Sequence, residues 1–222
     1  MMDRKDQPTI HILSNSSVLF DATTLLGDKL AIQKRIWALA SQCKKTYQCI
    51  DIVPAMNSLT LYFSNETKFI DLKEQLLNSW ETLQPEDFKG RHHKLITRYG
   101  GENGPDIEHV ARFHNMHIED VIARHSSVHY QVLFLGFQPG FTYLHGLDTQ
   151  LHTPRRSEPR THVPKGSVAI GADQTGVYPA DSPGGWHIIG HTDFTLFDSN
   201  QSVPSIINPG DTIEFIAKDI AS

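Results

Sequence analysis

Apolar residues over the first hundred positions recur in two rhythms. Between 66 and 83, Phe69, Leu72, Leu76, Leu77 and Trp80 fall on one face at helical spacing, which predicts an amphipathic helix. A second helical stretch, 28–41, carries Leu30, Ile36, Trp37 and Ala40. Residues 9–13, 18–22, 47–53 and 59–63 are β-rich instead, and Pro54-Ala55-Met56-Asn57 separates the last two as turn material. With a further strand near 93–98, the order reads β-α-β-β-α-β, the ferredoxin-like pattern. Pro85 and acidic neighbours interrupt the pattern over 84–89, so a boundary is expected there, dividing an α/β domain at 1–88 from a second domain at 89–222.

Past that boundary the rhythm changes. Tyr99-Gly100-Gly101-Glu102-Asn103-Gly104-Pro105 is rich in turn residues and leads into two short helices, 106–114 and 118–125. Pro105 suits the first turn of the first one. Together they make a helical insertion over about 105–126. Residues 128–135 form a strongly β run, after which glycine and proline punctuate the chain closely. Short apolar pieces follow at 168–170, 188–189, 194–197 and 213–216. This predicts a β-barrel or sandwich with elaborate loops, and an α+β chain as a whole.

Composition narrows the function classes. A chain of 222 residues is long enough to bury a real core in two small domains or one large one. Its 39% hydrophobic and 20% charged residues are ordinary for a soluble protein. A formal net charge of −5 argues against nucleic-acid binding through a general basic field. No segment approaches the roughly 20 apolar residues that span a bilayer, and the opening MMDRKDQPTIHIL lacks a signal peptide's apolar stretch. A soluble, cytoplasmic protein is expected. Its two cysteines, Cys43 and Cys49, match neither a disulfide framework nor a zinc-ligand spacing.

Four loop-like segments carry chemistry. In the stretch from Gly136 to Leu144, Gly140 and Pro139 set a turn, while Phe137, Phe141 and Tyr143 offer flat walls. These aromatics read either as a pocket for a small ring or as a plug for one end of a barrel. Arg155, Arg156 and Arg160 lie in a stretch that Pro154 and Pro159 hold extended. Guanidinium groups grip carboxylates and phosphates through paired hydrogen bonds, so this is an anion site or, equally, a solvated loop or a contact between subunits. Gly171 to Pro179 contributes Gln174 and Tyr178, and Ser182 to Thr192 contributes Gly184, Gly185, Trp186 and His191. Glycine pairs let a backbone approach a ligand and receive an oxyanion, and they also serve as ordinary hairpin punctuation.

All but one of the thirteen histidines follow Lys89. His187 and His191, or His125 and His129, have the separation of residues on one strand face, yet no His-Glu-x-x-His, Cys-x-x-Cys or carboxylate-rich loop accompanies them. No metal is expected. The phosphate loop, the nucleophile elbow and the dinucleotide fingerprint are all missing from the sequence.

At these same segments the chain resembles the KipI-like family. The stretches that carry the resemblance are YGGENGPDIEHVA, FLGFQPGFTYL, LHTPRRSEPRTHVPKGSVAIGADQTGVYP and SPGGWHIIGHTDFTLFD, with QKRIWALA and INPGDTIEFI in support. The family is also labelled allophanate hydrolase subunit 1, or carboxyltransferase domain subdomain C and D, and includes the B subunits of bacterial 5-oxoprolinases. The resemblance covers nearly the whole chain. It implies an N-terminal α/β domain followed by a cyclophilin-like β-barrel. It also implies two partner proteins, one KipA-like and one LamB/YcsF-like, in a complex that cleaves 5-oxoproline to L-glutamate with ATP as co-substrate.

On that footing Arg155, Arg156 and Arg160 bind anions, and Phe137, Gly140, Phe141, Gly184, Gly185 and Trp186 enclose the substrate. Gln174, Tyr178 and His191 polarise it or transfer protons. The allophanate label implies a serine-lysine amidase machinery that the sequence lacks. Two other readings are an inhibitor of a sensor histidine kinase and half of a biotin-dependent carboxyltransferase, the latter without a biotinyl-lysine segment here.

Overall fold

A computed structural model describes residues 7–64, 69–83 and 90–220, which divide into two compact units at Phe88 and Lys89. The interruption expected over 84–89, and positions 66–68 of the expected helix, lie outside the described residues.

In the first unit β1 (Thr9–Ser14), β2 (Ser17–Asp21), β3 (Cys49–Ala55) and β4 (Ser58–Phe63) form an antiparallel sheet in the order β1-β2-β4-β3. Helices α1 (Lys29–Thr46) and α2 (Phe69–Thr82) share one core with it, Ile36, Leu39, Leu76 and Trp80 meeting Phe20, Leu59 and Leu61. Asp28 opens α1 by accepting the Leu30 N–H at 3.0 Å. The helix runs beyond the expected stop to Thr46, where Lys44 and Lys45 face the negative end of its dipole. Buried Gln33 accepts the Asn57 N–H at 2.7 Å and so pins the turn between β3 and β4, where Asn57 takes φ 48°.

The strand expected near 93–98 does not join this sheet. As β5 (His92–Tyr99) it belongs to the second unit, and the first unit has the order ββαββα instead of β-α-β-β-α-β. The reason is tertiary: β5 finds a parallel partner in β13 (Thr212–Ile220) and an antiparallel one in β12 (His187–Thr192), and it buries Leu95, Thr97 and Tyr99 there.

The second unit is built on a closed seven-stranded barrel, completed by β6 (His129–Leu135), β7 (Thr142–His145), β9 (Ser167–Gly171) and β10 (Gln174–Val177), in the order β10-β7-β6-β13-β5-β12-β9. Closure leaves the barrel no free edge. A separate ribbon pairs β8 (Arg160–Val163) with β11 (Ser182–Gly184). Helices α3 (Ile107–Phe113) and α4 (Ile118–Ser126) are inserted between β5 and β6. Two stretches read from sequence as loops thus supply barrel strands β7 and β10, and the apolar piece expected at 188–189 lies in β12. The piece expected at 194–197 is no strand; Phe197 makes only an isolated bridge to Ser205.

A chain of polar side chains runs through the barrel interior. The Thr175 hydroxyl donates to the Ala169 carbonyl at 2.9 Å, so it accepts the Nε2–H of fully buried His125 at 2.9 Å. That leaves His125 Nδ1 to accept the Tyr99 O–H at 2.7 Å. Every member has a partner, which is how a polar group is tolerated in such a core. Among the described residues no helix is long and apolar enough to cross a membrane.

Candidate functional site

Asp106, just ahead of α3, organises the arginine segment. Its backbone N–H donates to the Ile188 carbonyl at 2.9 Å, and its Oδ2 accepts the Ile188 N–H at 2.7 Å, so the residue is clamped to β12 from both sides. Arg160 forks onto both carboxylate oxygens at 2.7 Å, and Arg156 Nη1 reaches Oδ1 at 3.1 Å. Burial alone would raise the Asp106 pKa, but the hydrogen bonds from Arg160 and Ile188 and the charges of both arginines outweigh it and hold the carboxyl below its usual range. One carboxylate set against two guanidinium groups leaves the cluster with a net positive charge.

That charge borders a cavity of about 380 Å³ whose walls include His109, Phe113, Pro154, Arg155, Arg156 and His187. Arg156 spends part of its fork on Asp106 and its Nε on the Glu158 carbonyl at 3.3 Å, which leaves Nη2 for a ligand. Arg155 is exposed, makes no ion pair among the described residues, and holds its guanidinium 5.8 Å over the Trp186 ring. His109 stacks on His187 at 4.7 Å with 13° between planes, and Phe113 lies 6.4 Å beyond His109 at 26°. The three rings therefore form a stack along one side of the cavity. His187 Nε2–H donates to the Pro154 carbonyl at 2.9 Å, and burial pushes its pKa down, so the ring is neutral.

Beside the cavity Phe141, Tyr178 and Trp186 pack with Val163, Ala169 and Ile188 into a second apolar cluster. The glycines around it serve packing. A Cβ on Gly171 would come within 2.5 Å of the Trp186 ring, and one on Gly184 within 2.3 Å of the Tyr178 hydroxyl. Burial raises the Tyr178 pKa, opposed by a hydrogen bond from Trp186 and the charges of Arg155 and Arg160, so Tyr178 stays a phenol.

The structure gathers some of the expected site residues and separates others. Arg155 and Arg156 line the cavity, Arg160 braces Asp106 behind it, and the Gly185 carbonyl accepts the Arg156 N–H at 2.9 Å. Trp186, Tyr178 and Phe141 are nearly enclosed in the adjoining aromatic cluster. Phe137 and Gly140 line a different depression with Phe197, Phe137 touching that cluster edge-on at 5.5 Å from Phe141. Gln174 begins β10, with its Nε2 buried and unpartnered among the described residues. His191 stands apart: its Nε2 lies 2.9 Å from the Lys165 carbonyl, and its Nδ1 lies 3.2 Å from Arg98 and 3.7 Å from the Asp193 carboxylate.

Sequence reading missed Asp106, His109 and Phe113, and took His187 only as a strand-face histidine. The available signal was an acid directly after Pro105, upstream of an arginine-rich stretch; its partners stand 50 and 54 residues later.

Comparison with known proteins supplies the context. Residues 8–207 match the family described as carboxyltransferase domain, subdomain C and D. A Haemophilus influenzae protein named as the B subunit of 5-oxoprolinase is 46% identical over 188 residues, covering 85% of this chain and 88% of that protein. The solved structure of TTHA0988 is similar at TM-score 0.77 and 29% identity over 95% of this chain, which spans only 40% of that one. K. lactis urea amidolyase shares the fold at TM-score 0.80 and 21% identity, over 98% of this chain and 15% of its own.

Proposed function

The chain belongs to the family of carboxyltransferase domain, subdomain C and D proteins, and on that premise we propose that it is the B subunit of an ATP-dependent 5-oxoprolinase. The observation that carries the reading is 46% identity, over most of both chains, to a protein of that name. The kinase-inhibitor and biotin-dependent readings are not favoured beside it. The partners in this proposal are a KipA-like protein and a LamB/YcsF-like protein, and the product is L-glutamate.

The cavity's chemistry supports the proposal. 5-Oxoproline is a small flat lactam with one carboxylate, so it needs a cation and close apolar walls. Arg155 and Arg156 supply the first, and the His109–Phe113–His187 stack supplies the second. Amide resonance makes the lactam carbon a poor electrophile. Transfer of the ATP γ-phosphoryl to the lactam oxygen activates it. Water then adds at that carbon, the ring C–N bond breaks, and a second water hydrolyses the acyl phosphate to glutamate and phosphate. Negative oxygens develop at each step, and preorganised guanidinium groups stabilise them without reorganisation. Asp106 contributes by fixing Arg156 and Arg160 in place.

The test is reconstitution. Glutamate and phosphate are measured for this chain alone, for each pair of the three proteins and for the full set. Neither product is expected from the lone chain or from its two partners without it, and both should appear together in the full set. Turnover by the lone chain, or full activity of the two partners in its absence, overturns the proposal. In the active set, Arg156→Ala should lower turnover by about 10- to 100-fold, the size of one lost charge-assisted hydrogen bond of about 1.5–3 kcal/mol. Unchanged kinetics for that variant and for Arg155→Ala would return the segment to a solvated loop.

A further inference from the structure

We propose that His92, His129 and Glu214, on three adjacent barrel strands, form a binding site for a borderline divalent transition-metal ion of the zinc or cobalt type. Strand β13 lies between β5 and β6, and its register sets Thr212 opposite His92 and Glu214 opposite both Lys94 and His129. Neighbouring residues Tyr130, Ile213 and Phe215 are buried in the barrel core, so alternation along the strands puts the His-His-Glu group on the outer surface.

The ligand atoms already lie close together, all within 4.8 Å of one another. His92 Nε2 is 3.2 Å and His129 Nε2 4.0 Å from Glu214 Oε2, and the two imidazole rings are 5.0 Å apart. A tetrahedral ion with bonds of 2.0–2.1 Å needs ligand atoms about 3.3 Å apart. The His92–Glu214 spacing meets that, and His129, with 66% of its side chain exposed, has the rotamer freedom to close the rest. Two imidazoles and one carboxylate suit zinc, cobalt, nickel or copper and not calcium or magnesium.

A group that would orient the His92 ring is in place as well. The Thr212 hydroxyl sits 2.9 Å from His92 Nδ1. Because a hydroxyl both donates and accepts, it fits either tautomer: it donates to Nδ1 while Nε2–H faces Glu214, and accepts from Nδ1–H once Nε2 binds metal. Lys94 Nζ, 3.6 Å from the Glu214 carboxylate, is the competing cation, and it is exposed enough to move away. Three protein ligands leave an open coordination position, and the bound ion would tie together strands at positions 92, 129 and 214.

The experiment uses the full chain without a histidine tag. Cobalt binding is followed by visible absorption, zinc binding by calorimetry, and melting temperature is measured with each metal. One equivalent of metal should bind and raise the melting temperature, as expected for a ligand of the native state alone. His129→Ala and Glu214→Gln should each weaken binding by about tenfold or more, while Lys94→Met should tighten it by removing the competing charge. These side chains lie on the outer surface, so the variants should fold, which their metal-free melting curves will verify. Absence of saturable binding at millimolar metal overturns the proposal. So does binding that survives both ligand substitutions, or an affinity unchanged by Lys94→Met.

Discussion

Asp106→Ala is expected to cost the protein about 3 kcal/mol of folding stability, measured by urea unfolding at neutral pH. Removing one partner of a buried ion pair typically costs about 3–5 kcal/mol, because the other charge is stranded. Here two guanidinium groups and the Ile188 N–H lose their acceptor together. The estimate sits at the low end because the Arg156 and Arg160 side chains keep 31% and 24% exposure and can turn toward water. A carboxyl whose folded pKa is depressed contributes stability above its unfolded value and loses it as pH falls through the folded one. The gap between wild type and variant should therefore be constant at neutral pH and narrow only below about pH 4. In the reconstituted complex, turnover should fall at least as far as for Arg156→Ala, since both arginines lose their brace. A stability loss under about 1 kcal/mol would show that the arginines do not depend on Asp106.

The second large effect comes from His125. Burial pushes its pKa down to about 3, against an ordinary value of about 6.5. In the fold the ring is neutral, with Nδ1 accepting from Tyr99. The unfolded chain takes up a proton below about pH 6.5, and the folded chain does not until about pH 3. Stability from this group is therefore complete above pH 6.5 and falls by about 1.4 kcal/mol per unit as the pH drops through that window. At pH 5 the loss should be about 2 kcal/mol. His125→Gln replaces the ring with a group that cannot titrate. It should be less stable at pH 7.5 by about 1–3 kcal/mol through imperfect hydrogen bonding, but should lack this share of the pH slope. Unfolding curves for both proteins at pH 7.5 and 5.0 decide the matter. Parallel pH profiles would mean that His125 is not the group responsible.

Much of the chain's local structure could be read from residue order. The stripe of Phe69, Leu72, Leu76 and Trp80 forms α2, and the stretch carrying Leu30, Ile36, Trp37 and Ala40 forms α1. The β runs at 18–22, 59–63 and 128–135 are strands, and the two short helices after Pro105 stand close to where turn residues placed them. The arginine segment was noticeable as a charge cluster, because charge gathered around prolines needs no tertiary information to be seen.

Strand pairing was not legible in the same way. The alternation of β5 fits either sheet, and its choice of β13, some 120 residues away, depends on which closure buries Leu95 and Tyr99. Glycines 171, 176 and 184 read as punctuation because sequence does not reveal the Trp186 and Tyr178 rings that press on them. Nor does residue order show that His191 meets the Lys165 carbonyl and Arg98. Periodicity and turn preference act over a few residues, so residue order places the helices and the unbroken β runs but not the short strands at 142–145 and 174–177. Tertiary closure acts over separations of 50 to 122 residues, and it brings Asp106 to Arg156 and Arg160, and His92 to Glu214.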